Sequence, residues 1–301
     1  MKKAIDIKNL NKYYGKFHAL NDVSLSVYEG DIYGLIGKNG AGKTTLFKQI
    51  LGLSNYQDGD VSILSSTSED QLRKARKDIG FYINSTFFPY LSAKENLEYF
   101  RILKGIEDKD EVDRVLKIVE LDKVNKKYKS FSMGMKQRLG IANAIMGNPK
   151  IVILDEPING LDPQGIVDIR NLIKKLNKDY NMTLIVSSHI LNELSLIATR
   201  FGMIDHGVLL KEITSDELQE QKDSIMIHTN KYDQTLKFLE NNAVTTIINQ
   251  NNENEIQVTT SLEADLLLKQ LMQHDLGIEE FYFHKSSLEE FYFSLTEGGI
   301  K

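Results

Sequence analysis

The run Gly37-Lys38-Asn39-Gly40-Ala41-Gly42-Lys43-Thr44-Thr45 has the residue types and spacing of a polyphosphate cradle. Gly37, Gly40 and Gly42 let the backbone curl until its N–H groups converge, and a following helix adds the positive end of its dipole. Lys43 would reach the β- and γ-phosphates as a point charge, and the Thr44 hydroxyl would ligate Mg²⁺. A glycine-rich turn with an incidental lysine is the plain alternative. Context weighs against it: the apolar run Asp31 to Ile36 reads as a buried strand before the loop, and Leu46 to Leu51 has helical spacing after it.

Further along, Ile151-Val152-Ile153-Leu154 reads as a buried parallel strand ending in Asp155-Glu156-Pro157. Carboxylates at the carboxyl end of such a strand lie where ligands bind in open α/β sheets. Asp155 fits an Mg²⁺ role through water, and Glu156 could orient or polarise an attacking water, against the alternative of an acidic strand end in solvent. Met182 to Val186 forms another strand, ending at Ser187-Ser188-His189, where His189 suits a structural or a catalytic part equally. Phe131 to Arg138 opens a helix in which Ser132 can cap and Gly134 lets an anion approach, so capping and phosphate binding are both open readings. Gly160-Leu161-Asp162-Pro163 is a turn into a helix, and Tyr14, beside Gly15, either fills a core or stacks on a base.

The elements that must position these residues follow from the patterning. Ala4 to Leu10 and Asn21 to Tyr28 alternate as half-buried antiparallel strands; Asp58-Gly59-Asp60 marks a turn and Val61 to Leu64 a short strand. Asp70 to Lys77 reads as a charged helix and Ile79 to Ile83 as a buried strand. The aromatic loop Asn84 to Tyr90 then leads into a helical insert from Ala93 to Tyr128, with Val112, Val115, Leu116 and Val119 on one face. The C-terminal part has the order βαββαβ followed by a helix, with a turn at Asn249-Gln250-Asn251-Asn252, which fits a small ferredoxin-like unit. Its aromatic runs Phe281-Tyr282-Phe283 and Phe291-Tyr292-Phe293 suit core or dimer contacts.

Composition narrows the classes. A chain of 301 residues can bury a large core and a second unit, and a charged fraction of 26% against 41% hydrophobic is that of a globular protein. No apolar stretch approaches the roughly 20 residues of a membrane-spanning helix, and Met1-Lys2-Lys3 leads into a strand, so the chain is expected to stay in the compartment where it is made. The absence of cysteine removes disulfides and thiolate chemistry, and a net charge of −5 argues against nucleic acid as the main partner.

On these motifs, in this order across residues 3 to 220, the chain resembles an ATP-binding cassette (ABC) ATPase, the nucleotide-binding subunit of an ABC transporter. The resemblance implies a P-loop α/β cassette over residues 1–220, with an antiparallel β subdomain and a helical subdomain at about 85–145, followed by an accessory α+β domain over 221–301. It implies that Tyr14 stacks on adenine and that Gly37, Lys38, Asn39, Gly40, Ala41, Gly42, Lys43, Thr44 and Thr45 hold the phosphates of ATP. Thr44 and Asp155 would serve the magnesium site, Glu156 would be the catalytic acid group, and His189 would contact the γ-phosphate. Ser132, Met133, Gly134 and Met135 fall at the signature that closes over ATP held by the opposite subunit, with Met133 in place of a glycine and Met135 in place of the glutamine. That substitution resembles the branch of bacitracin-type, lantibiotic and other peptide or drug exporters. Asp162 lies in the loop that communicates across the dimer, and Asn84 stands where the family has a magnesium-sensing glutamine, one methylene longer.

The expected partners are therefore a second cassette, identical or paralogous, and an integral membrane permease, placing the chain peripherally on the cytoplasmic face of the membrane. Phe87, Phe88 and Tyr90 beside the helical insert would offer the permease a groove for one of its helices. The competing expectation is a soluble ABC ATPase acting on ribosomes or DNA, disfavoured by the acidic charge and the lack of a second cassette or long coiled-coil insert.

Overall fold

The computed structural model describes the chain except for residues 84–85, 220–223, 242–244, 253, 261, 285–286 and 298–301. Contacts divide it between Asp216 and Glu217 into two units.

In the first unit, β1 (Lys3–Tyr14) and β2 (Phe17–Tyr28) form a hairpin, β3 (Ile32–Ile36) leads into the glycine loop and α1 (Lys43–Ile50), and β4 (Asp58–Ile63) returns to pair antiparallel with β1. Both hairpin strands run longer than their alternation predicts, because register shifts absorb the residues that break the pattern. Asp58-Gly59-Asp60 is strand rather than turn: Gly59, at φ 107°, lies beside a register shift between Lys8 and Asn11, and the Asn9 backbone occupies the side where a Cβ would project. The glycine thus marked a bulge.

Next come α2 (Glu69–Ala75) and β5 (Ile79–Tyr82), then the insert with α3 (Ala93–Leu103), α4 (Glu111–Ile118) and α5 (Met133–Ile145). A capping box starts α3: Ser92 Oγ accepts from Glu95 N–H, and Ser92 N–H donates to Glu95 Oε2 at 2.6 Å. That backbone bond, helped by Lys127, holds the Glu95 carboxyl down at about 2. Val112, Val115, Leu116 and Val119 are all buried, as their period requires. Phe87 is buried too, at 3% exposure, with its ring 5.4 Å from Phe100 and 5.3 Å from Tyr128, so it fastens the loop rather than offering itself to a partner.

The chain continues through β6 (Ile151–Asp155), α6 (Pro163–Tyr180), β7 (Thr183–Ser188), α7 (Leu191–Ser195), β8 (Arg200–Asp205), β9 (Val208–Thr214) and α8 (Ser215–Gln219). The main sheet has the order β5-β6-β7-β3-β8-β9, parallel throughout except for β9. Every residue of β3 and β7 is buried, as the central strands of a sheet covered on both faces require. The β8–β9 hairpin escaped the sequence reading. Its turn, His206-Gly207, takes φ 45° and 78°, the twist-matched two-residue connection that His-Gly between apolar runs could have signalled.

The second unit contains β10 (Ser224–Thr229), α9 (Tyr232–Glu240), β11 (Thr245–Asn252), β12 (Glu255–Thr260), α10 (Ala264–Gln273), β13 (Ile278–His284) and α11 (Leu288–Glu297). Its sheet is antiparallel in the order β11-β12-β10-β13, the split arrangement of the ferredoxin-like fold. Ile225, Ile227, Ile256 and Val258 bury one face against Leu239, Leu267 and Leu271 of the helices. Asn249 to Asn252, expected as the turn, remain in β11, with Asn252 opposite Glu255, so the reversal comes later.

Gly80 is the tightest joint around β5. An added Cβ would run into the Ala144 carbonyl of α5 and lie 2.9 Å from Pro149. Gly80→Ala should therefore lower stability by about 3 kcal/mol, the upper part of the overpacking range. Urea unfolding of the intact chain followed by circular dichroism measures this, and an unchanged midpoint would contradict the packing.

Candidate nucleotide-binding site

Three neighbouring parallel strands, β6, β7 and β3, bring the chemistry to one sheet edge. Their register sets Asp155 beside Ser187 and Ile36 beside Ser188, so the glycine loop, the acidic strand end and the Ser-Ser-His terminus emerge side by side.

The loop is built to admit anionic oxygen close to backbone. Gly40 and Gly42 take φ 86° and 111°, and a Cβ on Gly42 would sit 3.0 Å from the Ala19 carbonyl oxygen. Gly42 is the N-cap of α1 and carries no side chain to occupy the helix's first N–H groups, which leaves Lys43, Thr44 and Thr45 facing the loop with free-end polarity. The remaining loop residues shape the curl: Ala41 N–H donates to Lys38 O at 3.1 Å, and Gly207 N–H donates to Ala41 O at 2.9 Å.

Lys43 is only 6% exposed, and its ammonium is ringed by oxygen. Nζ donates to Gly37 O at 2.6 Å and Lys38 O at 3.2 Å, and lies 3.1 Å from Glu156 Oε1. The last contact is a charge pairing, not an aligned hydrogen bond. Thr44 Oγ1 donates to Asp155 Oδ2 at 2.6 Å, while Ser187 Oγ donates to Asp155 Oδ1 at 2.6 Å and accepts from Glu156 N–H at 2.9 Å. Held this way, Glu156 adopts φ 51°, a left-handed conformation that costs a non-glycine residue about 1 kcal/mol. Its second carboxylate oxygen lies 2.8 Å from His189 Nδ1. Lys43, Thr44, Asp155, Glu156 and His189 thus form one connected network, with Ser187 as a member that the sequence reading left without a role.

A cavity of about 350 Å³ opens beside this network, lined by Asn39, Gly40, Lys43, Thr44, Thr45 and Glu156 with Phe17 and Ala19 of β2. Tyr14 is not in that wall. It ends β1 opposite Phe17, half exposed, with Lys12 Nζ 4.9 Å over its ring. Phe17 is the aromatic that sequence reasoning missed; its place two residues past Gly15, across the hairpin from Tyr14, was the available signal.

The donor set fits magnesium bound together with phosphate. Thr44 and Asp155 supply hard oxygens, and no group of three or more His, Asp or Glu residues among the described residues forms a self-contained metal cage. Mg²⁺ favours such sites, where one or two protein oxygens are completed by phosphate and water. Asn84 lies outside the described residues.

The second motif group sits elsewhere. Ser132, Met133, Gly134 and Met135 line an open cavity of about 600 Å³ with Gly160, Leu161 and Asp162, and none of these residues lines the phosphate-loop cavity. Ser132 does cap α5, accepting from Met135 N–H at 3.3 Å, and Asp162 caps α6, accepting from Gly165 N–H at 3.1 Å. Gly134 has open space around it, its nearest neighbour for an added Cβ being Leu161 at 3.9 Å.

Comparison with known proteins agrees with this architecture. The profile of the family described as ABC transporter matches residues 20–159. The bacitracin transport ATP-binding protein BcrA of Enterococcus faecalis is 40% identical over 223 residues, spanning 73% of this chain and 72% of its own. The lantibiotic transport ATP-binding protein SrtF of Streptococcus pyogenes is 39% identical over 220 residues, spanning 72% of this chain and 94% of its own. Among solved structures, the dimeric post-hydrolysis state of the ATP-binding cassette MJ0796 bound to ADP and Pi superposes with a TM-score of 0.62 at 30% identity, over 70% of this chain and 98% of that one. With a phosphate loop, paired strand-end acids and relatives of this length and identity, the chain belongs to the ABC transporter family as an ATP-binding subunit that couples ATP hydrolysis to transport.

Proposed function

We propose that two such cassettes close around two ATP molecules at the cytoplasmic face of the membrane and power a separate permease that exports a peptide antibiotic or similar drug. The observation that carries the catalytic part is the network at one sheet edge in which hydrogen bonds join Thr44, Asp155, Ser187, Glu156 and His189 and an ion pair adds Lys43. Two observations support the second cassette: the signature residues line a cavity apart from the phosphate loop of their own chain, and related cassettes are dimeric. The names of the bacitracin and lantibiotic relatives support the cargo class.

In this reading the loop N–H groups and Lys43 bind and neutralise the β- and γ-phosphates, Lys43 exchanging its carbonyl and Glu156 contacts for phosphate oxygens. Magnesium, held through Thr44 and Asp155, would supply charge neutralisation at the same oxygens. Glu156 takes the proton of the attacking water as its oxygen bonds to the γ-phosphorus and the bond to the β–γ bridging oxygen breaks, leaving ADP and phosphate. His189, on the other carboxylate oxygen, fixes the orientation of Glu156. Phe17, in the cavity wall, offers aromatic surface to the base, with Tyr14 opposite it on β1.

The surface for the permease is α3 and the loop before it. Phe88 packs edge-on against Tyr99, with ring centroids 5.0 Å apart, leaving Tyr90, Ile102 and Leu103 at 64–68% exposure. A permease helix with an apolar face would cover them.

Three outcomes test these assignments. Lys43→Ala should weaken ATP binding at least about tenfold, the equivalent of losing a charge-assisted contact, as read by nucleotide titration. Glu156→Gln should retain binding while turnover falls by about 10²–10⁴, the range for a lost general base, in a phosphate-release assay; wild-type turnover in the variant would remove Glu156 from its role. Ile102→Glu with Leu103→Glu should abolish co-purification of a multispanning partner and, in cells, any peptide-antibiotic resistance the pair confers. Unchanged capture would disprove docking on α3, and unchanged inhibitory concentrations with and without the wild-type pair would disprove the cargo class.

A further inference from the structure

The C-terminal sheet has an edge that is built to be covered. β13 ends the sheet, paired only with β10 among the described residues. Its sequence, Ile278-Glu279-Glu280-Phe281-Tyr282-Phe283-His284, has no proline, lysine or arginine; its two carboxylates and its one register shift, between His228 and Thr229, lie at its start, leaving Phe281 to His284 without such a device. Natural edge strands are protected by such devices, because their unpaired N–H and C=O groups otherwise recruit another strand. The opposite edge, β11, is polar at Asn249 to Asn252 and carries two register shifts against β12. β13 instead exposes Tyr282 at 42% and Phe283 at 60%.

The faces of β13 follow from its pairing. Phe281 and Phe283 stand opposite Ile227 and Ile225, whose side chains enter the core, so they belong to the helix-covered face, and Phe281 packs on that core. Glu280, Tyr282 and His284 point to the other face, opposite His228, Met226 and Ser224. A two-fold axis perpendicular to a sheet keeps each face on its own side, so two copies of one strand can pair antiparallel only about a residue that faces itself. Centred on Phe281, the pairing sets Glu279 and Glu280 against aromatic rings. Centred on Tyr282, it sets Tyr282 against Tyr282, Phe281 against Phe283, and Glu280 against His284. That register matches Glu280 to His284 by chemistry, and Phe283 would extend the partner's core past the edge where Phe281 already packs. His284 Nε2 already lies 2.8 Å from Glu290 of its own chain and would gain a second carboxylate.

We propose that β13 pairs with β13 of a second copy of this chain, about Tyr282, joining two C-terminal sheets into one of eight strands without nucleotide. Such a contact needs no nucleotide, so it would keep two mates associated between ATP cycles. The proposal is independent of the residue roles assigned to the ATP site, because its readout needs no ATP.

The chain has no cysteine, so single substitutions report register directly. Directly opposed residues have Cα atoms about 4.5–5.5 Å apart, within disulfide reach. Under mild oxidation of the intact, nucleotide-free chain, Tyr282→Cys should form a covalent homodimer at least about tenfold faster than Glu279→Cys, whose copies would lie about 20 Å apart. Glu280→Cys and His284→Cys should each remain uncrosslinked alone and crosslink when the two variants are mixed. Circular dichroism confirms that each variant is folded. A folded Tyr282→Cys chain that stays monomeric, Glu279→Cys crosslinking at the same rate, or Glu280→Cys crosslinking as readily alone as in the mixture would each overturn the proposal.

Discussion

The Asp155 carboxylate, gripped on one oxygen by Thr44 and on the other by Ser187, is the constraint on which the rest of the cassette depends. It joins the end of β6 to the first turn of α1 and to the end of β7, three points far apart in sequence. Ser187 then turns outward to hold the Glu156 backbone in a conformation that a carboxylate side chain would not otherwise choose, which aims that carboxylate between Lys43 and His189. Charged groups taken from water are tolerable only when paired and hydrogen-bonded, and the nearly buried Lys43 meets that condition through carbonyl oxygens that phosphate oxygens can replace.

The sheet behind this network carries no chemistry, but it fixes the spacing. Fully buried strands admit little slippage, since a one-residue shift would turn each side chain to the opposite face. Gly80 and Gly140 let β5 and α5 approach so closely that any side chain would collide with the Ala144 carbonyl or the Tyr82 ring. The insert therefore has a rigid root beside β5, while its far end presents the signature residues on a cavity separate from the phosphate loop. That separation is what the proposed pairing of two cassettes would resolve, each molecule's signature residues meeting the phosphate loop of the other.

The C-terminal unit obeys the same physics with a different result. Its sheet buries one face under α9 and α10 and leaves an aromatic edge on β13, so its unmet requirement is for another strand rather than a ligand.

Local chemistry made much of this legible in the sequence. The phosphate loop, the strand ending in Asp155-Glu156, the capping serine at position 132 and the βαββαβ order are set by glycine conformations, period and end effects within a few residues, and the structure keeps them. What depended on register was not legible: Gly59 as a bulge, the β8–β9 hairpin, Phe17 rather than Tyr14 in the cavity wall, and Phe87 turned inward. The sequence by itself determined which groups could bind phosphate and move a proton. Only the tertiary structure decided that Ser187 would hold Asp155 and that Glu156 would face both Lys43 and His189, because those contacts span 32, 113 and 33 residues and exist only once parallel strands have fixed their common edge.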